Sequence, residues 1–239
     1  MDYTTLIIVI IIFAGAVTQG LTGFGFAMIS VPLLSLFLDV KTAIPLGALC
    51  GLVINILLFL KFKNYIVFKE IWPLIAGALV GIPAGAVFLR EAAPGVVKIV
   101  LAVIVLLFAL FLLSGKLKTR GINANWGYFY GITAGILGGA FNTNGPPVLI
   151  YSYLEGWEKK KMKASLVGFF TFTSVVIVLS HAIAGLVTEG ILVHFLYLLP
   201  VIVVGIILGN YLFSRISAKI YNKVIIYSLI AISLLLMFK

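Results

Sequence analysis

Two short clusters of hydroxyl, amide and helix-breaking residues interrupt otherwise apolar sequence: Thr18-Gln19-Gly20-Leu21-Thr22-Gly23-Phe24-Gly25 and Gly138-Gly139-Ala140-Phe141-Asn142-Thr143-Asn144-Gly145-Pro146-Pro147. Glycine, asparagine and proline at this density end a helix and leave backbone groups without helical partners. The side chains Thr18, Gln19, Thr22, Asn142, Thr143 and Asn144 add O–H and N–H donors, while Gly23, Gly25, Gly145 and Pro146 shape the turns. Neutral donors with no carboxylate among them suit reversible recognition of a small anion; the alternative is that they only satisfy one another at tight turns. Asn144 before Gly145-Pro146-Pro147 reads as a helix start, with a capping side chain and prolines whose missing N–H groups cost nothing in a first turn. Thr22 is placed to cap the helix returning from the first cluster. A helix N-terminus carries about half a positive charge and free N–H groups, so two such starts facing each other would form an anion site. Asn55 and Asn210, in other apolar segments, either line the same cavity or bond across helices.

The surrounding composition says where these clusters sit. Of 239 residues, 63% are apolar and only 10% charged, against roughly half and a quarter in an ordinary soluble domain. A spanning helix needs about 20 apolar residues, so the expectation is a single multi-spanning membrane domain over 1–239. The acids Asp2, Asp39, Glu70, Glu91, Glu155, Glu158 and Glu189 fall at or near segment ends. Two histidines, His181 and His194, and the lone Cys50 share no ligand spacing, so neither a metal site, a cofactor nor a disulfide framework is expected. No nucleophile–base pair marks an enzyme. The net charge of +10 comes from short basic runs between apolar stretches, which the positive-inside rule explains without nucleic acid. Met1-Asp2-Tyr3 lacks the basic start of a cleavable leader.

Apolar segments run over 4–38, 42–60, 70–89, 95–114, 126–154, 164–187, 190–213 and 217–238. Ala14-Gly15 and Gly25 match Ala134-Gly135 and Gly145 at an offset of 120, Ala43 and Gly47 match Ala164 and Gly168 at 121, and Gly81 and Gly85 match Gly205 and Gly209 at 124. A slowly growing offset marks two repeats, 4–114 and 126–238. The first segment of each is too long for one helix of ordinary tilt and carries a polar cluster, so each is expected to be a broken, re-entrant hairpin followed by three transmembrane helices. With two hairpins, 13 of the 17 Lys and Arg residues collect on one side, leaving Lys41, Arg90, Lys98 and Lys239 on the other; with eight simple crossings the division is only 10 to 7. The hairpin topology therefore puts 61–70, 115–125, 155–163 and 214–223 in the cytoplasm and both termini outside. An odd number of crossings per half inverts the second repeat. The fold class is thus an all-α polytopic membrane protein of two inverted repeats. Glycines four apart, at 127–139, 77–85 and 205–209, permit close helix packing, and Trp72, Trp126 and Trp157 are expected at the headgroup level.

Gln19-Gly20-Leu21-Thr22-Gly23-Phe24-Gly25-Phe26 running into Val31-Pro32-Leu33-Leu34, the second cluster, and Lys163-Ala164-Ser165-Leu166 resemble the TauE/SafE group of sulfite and organosulfonate transporters over nearly the whole chain. Asn142 and Asn144 stand where members often carry glycine, and Lys163 where many have arginine. The resemblance implies a secondary transporter of the cytoplasmic membrane, moving sulfite or a short organosulfonate. With a negative interior, one charge is worth about 2.3 kcal/mol per 100 mV, so an anion leaves without a coupling ion and export by rocking of the two halves is expected. Uptake would need proton coupling through His181 or His194, for which packing roles are the simpler expectation. Lys41 and Lys163 are expected at the membrane edge. A passive anion channel and an accessory subunit without transport of its own are the alternatives, and association into homo-oligomers is left open.

Overall fold

The computed structural model describes residues 3–114, 121–212 and 218–238. The basic stretch 116–120, Arg215 and Lys239, which enter the charge argument, lie outside the described residues. Among the described residues ten α-helices follow one another: α1 (Tyr3–Thr22), α2 (Phe26–Leu34), α3 (Val40–Phe62), α4 (Phe68–Glu91), α5 (Pro94–Ser114), α6 (Trp126–Phe141), α7 (Gly145–Glu155), α8 (Lys159–Ile183), α9 (Glu189–Leu212) and α10 (Ala218–Phe238). Among the described residues no strand is present, and six helices are long and apolar enough to cross a membrane: α1, α3, α4, α5, α8 and α9.

Both long segments break where the polar clusters fall. Between α1 and α2, Gly23 and Gly25 take φ values of 83° and 99°, a left-handed conformation that a Cβ disfavours. Between α6 and α7 the turn is made by Asn142 at φ 56°, asparagine being the side chain that most readily replaces glycine there. The chain then doubles back. Ser30 Oγ of α2 donates to the Ile11 carbonyl of α1 at 3.4 Å, and Tyr151 of α7 lies against Tyr130 of α6, ring centroids 5.7 Å apart. The breaks divide the segments unequally: α1 has 20 residues and α2 only 9, about 30 Å and 14 Å of rise, so the first tip lies deeper than halfway along a span.

Two glycine seams tie the bundle. The most extensive helix packing is α4 on α6, followed by α1 on α9. A Cβ at Gly77, Gly81 or Gly85 of α4 would run into the carbonyls of Tyr128, Ile132 and Ile136 of α6. Gly131, Gly135 and Gly139 of α6 meet Leu74, Ala78 and Ile82 of α4 in the same way. On the other side Gly209 of α9 abuts the Val17 carbonyl of α1 and Gly205 abuts Ala16. Small residues four apart thus bring backbone onto backbone.

One apolar core gathers around α4, α5, α6 and α7, with Ile71, Leu74, Leu101, Val148 and Phe169 at its centre; a second joins α1, α3 and α9 through Ile12, Leu46, Ile54 and Ile202. Val80, Leu107 and Ile207 are exposed, an outward apolar surface that suits lipid rather than water. Trp72 and Trp126 are exposed at their helix starts. Trp157 is not: it packs edge-on to Tyr151 with Lys161 Nζ 5.9 Å over its ring, because the chain after α7 turns inward toward α8.

Candidate functional site

The first tip is held by Gln19 near the end of α1. Its Oε1 accepts the Phe26 N–H at 3.0 Å, the first amide of α2, and its Nε2 donates to Asn55 Oδ1 of α3 at 2.6 Å. Gln19 therefore does the capping expected of Thr22. Thr22 turns back on its own segment: Oγ1 donates toward the carbonyls of Thr18 at 2.9 Å and Phe24 at 2.6 Å, and accepts the Phe24 N–H at 3.2 Å. Asn55 in turn donates to the Phe170 carbonyl of α8 at 3.4 Å, and Thr171 Oγ1 donates to the Asn55 carbonyl at 3.1 Å. The Ala27 and Met28 amides, next in the first turn of α2, have no intrahelical acceptor.

The second tip is built differently. Asn144 stands at the cap position of α7 but makes no side-chain cap; its Nδ2 donates instead to Thr173 Oγ1 of α8 at 2.9 Å. Prolines 146 and 147 remove two of the first three amides of α7, leaving the Gly145 N–H, so this tip offers fewer backbone donors than an ordinary helix start. Side chains make up the difference. Thr143 is 1% exposed and its hydroxyl has no hydrogen-bond partner, an uncompensated state that buried hydroxyls rarely keep. Asn142 reaches toward α3, where a Cβ at Gly47 would stand 3.6 Å from its Nδ2.

The two tips meet at a cavity of about 40 Å³ lined by Gln19, Phe24, Gly25, Phe26, Ala27, Met28, Gly51, Asn55, Asn142, Thr143, Asn144, Gly145, Phe170, Ser174 and Ile177. At roughly 10–15 Å³ per water, that is room for about three waters or one small oxyanion. Of the residues expected at the site, Gln19, Gly25, Asn55, Asn142, Thr143, Asn144 and Gly145 line it. Thr18, Thr22, Gly23 and Pro146 do not; they shape the turns behind it. Asn210 of α9 lies beside Gly20, away from the cavity. Sequence reasoning missed the α8 wall of Phe170, Ser174 and Ile177. The run Thr171-Phe172-Thr173-Ser174 within an apolar segment was the available signal.

Helix α8 also closes the ends of both outgoing helices. Lys163 Nζ donates to the Gly20 and Leu21 carbonyls of α1 at 3.5 and 3.4 Å and lies 5.1 Å over the Phe62 ring. It thus caps the C-terminal end of α1. His181 is wholly buried, and its Nε2 donates to the Gly139 carbonyl of α6 at 2.7 Å; a carbonyl only accepts, which fixes the tautomer. His194 is exposed and bonds the Gly190 carbonyl one turn back. Lys41, half-buried, donates to the Arg90 carbonyl at the end of α4 at 2.6 Å.

The family model described as sulfite exporter TauE/SafE matches residues 7–236. A curated protein of Cupriavidus necator, described as a probable sulfite/organosulfonate exporter TauE, is 26% identical over 150 residues, 58% of this chain and 57% of that protein. The match thus spans little more than half of the relative's length. No solved structure matches the chain. The family match and the six span-length helices together identify a multi-pass membrane protein.

Proposed function

Because the chain belongs to the sulfite exporter TauE/SafE family, we propose that it is a secondary transporter that moves a small anion, sulfite or a short organosulfonate, out across the cytoplasmic membrane by alternating access. The observation that carries this reading is the convergence of two broken-helix tips on one neutral, donor-lined cavity containing an unpartnered buried hydroxyl. Discontinuous helices whose N-termini face a central site are how such carriers hold anionic groups.

The arrangement of helices supports a pair of inverted repeats, 4–114 and 126–238. α1 packs on α9 as its counterpart α6 packs on α4, and α3 and α5 pack on their own counterparts α8 and α10. In this reading both termini lie outside and the loops 61–70, 115–125, 155–163 and 214–223 face the cytoplasm. An anion bound between the tips is pushed outward by the membrane potential at about 2.3 kcal/mol per charge per 100 mV, which makes export the favoured direction. Parting of the tips on one side and then the other exposes the cavity alternately.

The test is flux of sulfite, methanesulfonate and a carboxylate control in proteoliposomes at imposed potentials, with the double variant Asn142→Gly/Thr143→Val as blank. Saturable, potential-driven movement of the sulfur anions, lost in the variant, is the expected result. Unsaturable ohmic current would make the protein a channel, and no movement of any anion would end the transport reading.

A further inference from the structure

One end of the seam between α3 and α8 carries two ammonium groups on one aromatic ring. Lys163 Nζ lies 5.1 Å from the Phe62 ring centroid and Lys61 Nζ 5.8 Å from it. Lys61 is exposed and close enough to Lys163 to repel it. It takes part in neither ion pair among the described residues, Arg90 with Glu91 and Lys161 with Glu70. A ring face attracts ammonium groups without neutralising them as a carboxylate would.

The charges gathered here do not cancel. α1 and α3 both end at this place, and each C-terminus brings about half a negative charge, α1 at the Gly20 and Leu21 carbonyls that Lys163 engages and α3 at Phe62. Against them stand the two lysines and the N-terminus of α8, which starts at Lys159. Glu158, the acid before that start, is exposed and lies five residues from Lys163, on another face of the helix. Roughly one positive charge is left over.

The patch is in register with the central cavity. Phe62 of α3 meets Lys163 of α8, and further along the same seam Asn55 meets Phe170; the step is seven residues on each helix, two turns or about 10 Å. Asn55 and Phe170 line the cavity. Between patch and cavity stands the first tip. The Lys163 stem lies against Gly23, where a Cβ would be 2.9 Å from its Cγ, and Phe24 and Gly25, next in the chain, line the cavity.

Resting on the transport reading above, we infer that Lys61 and Lys163, held on the Phe62 ring, form a second anion site at the cytoplasmic mouth, where sulfite or a short sulfonate is captured before it passes the first tip.

The test compares the full-length protein with Lys61→Gln and Lys61→Glu in phosphatidylcholine vesicles, whose headgroups carry no net charge. For methanesulfonate, kcat/KM should fall about three- to tenfold in Lys61→Gln and further in Lys61→Glu, with kcat and the thermal midpoint unchanged. Raising the ionic strength from about 0.01 to 1 M shortens the screening length from about 30 to 3 Å, so wild-type kcat/KM should fall with salt and that of Lys61→Gln should fall less. A second readout needs no transport. In an Asn64→Cys background, where the natural Cys50 is buried, sulfonatoethyl methanethiosulfonate should react faster relative to its trimethylammonium analogue than it does once Lys61→Gln is added. Unchanged kcat/KM in Lys61→Glu overturns the inference and leaves the transporter standing. A fall confined to vesicles containing phosphatidylglycerol assigns the pair to lipid headgroups and also overturns it, as does a fall in kcat equal to that in kcat/KM. Without flux in the wild-type protein the transport reading goes, and the reagent ratio decides alone: a ratio that Lys61→Gln does not change removes the anion site as well.

Discussion

Replacing Thr143 by valine separates a ligand-binding role from a structural one, because the two roles predict opposite signs. Valine keeps the branched shape, and the Thr143 N–H bond to the Leu137 carbonyl at 3.3 Å is untouched. What disappears is a hydroxyl that is buried and unpartnered. An unsatisfied buried group costs about 1–3 kcal/mol, so its removal should leave thermal stability equal or higher, by roughly 2–4 °C per kcal/mol for a chain of this size. If the same hydroxyl donates to a bound anion, a hydrogen bond to a charged group worth about 1.5–3 kcal/mol is lost, which is roughly 10- to 100-fold in affinity. Thermal unfolding in detergent and the KM for methanesulfonate in proteoliposomes read the two quantities. The expected pattern is an unchanged or raised midpoint with a raised KM, and Thr143→Ser near wild type in affinity. Unchanged transport in Thr143→Val refutes the hydroxyl's role at the site; a lowered midpoint with lost transport would show that the residue only supports the turn.

Asn142→Gly retains the left-handed turn while removing an amide from the cavity, so folding should be preserved and affinity weakened, whereas Asn142→Ala adds strain of about 1–2 kcal/mol; equal thermal midpoints for the two would contradict the backbone argument. Gly81→Val drives side-chain atoms into the Ile132 carbonyl and should cost on the order of 3 kcal/mol, seen as aggregation on size exclusion, while Gly95→Val, with open space around it, should elute as wild type. Gln19→Leu leaves the Phe26 N–H without its acceptor and Asn55 without its donor; a loss of about 1–3 kcal/mol and slowed transport are expected, and wild-type values of both would show that the first tip holds without it. Lys163→Met should lose about 1 kcal/mol from the uncapped end of α1, with Lys163→Arg recovering most of it; equal midpoints for Met and Arg would remove the capping role.

The breaks were legible because glycine, asparagine and proline announce them locally: Gly23 and Gly25 for one turn, Asn142 to Pro147 for the other. Convergence of the clusters was legible as one of two readings, since neutral donor sets at matched positions in an apolar chain either meet at a ligand or only satisfy one another at tight turns. The details of capping were not. Gln19 reaches Phe26 seven residues on, beyond the reach of any rule that looks for a cap beside the helix start, and Asn144 is drawn from its own helix by Thr173, 29 residues away. Lys163 and Trp157 sit at segment ends, where sequence reasoning assigns interface roles, yet Lys163 reaches the Gly20 and Leu21 carbonyls and Trp157 packs on Tyr151. The α8 wall was missed because threonine and serine inside a helix usually bond their own preceding turn, as Thr173 does to Phe169 at 2.9 Å, and the pattern does not say which faces a cavity.

The glycine seams bear on what can move. Backbone lies directly on backbone along the α4–α6 seam, and at Gly209 against Val17 in the α1–α9 seam, so each pair is closely joined. Each pair takes one member from either half of the chain. In the proposed transporter, hinging 4–114 against 126–238 would break both seams, so the reading calls for cross-halves to move instead: α1 with α9 carrying one tip, α4 with α6 carrying the other. Helix α8 bridges the two pairs, through Lys163 to the Gly20 and Leu21 carbonyls, through Phe170 and Thr171 to Asn55, through His181 to the Gly139 carbonyl and through Thr173 to Asn144, and these are the bonds such a motion would have to change.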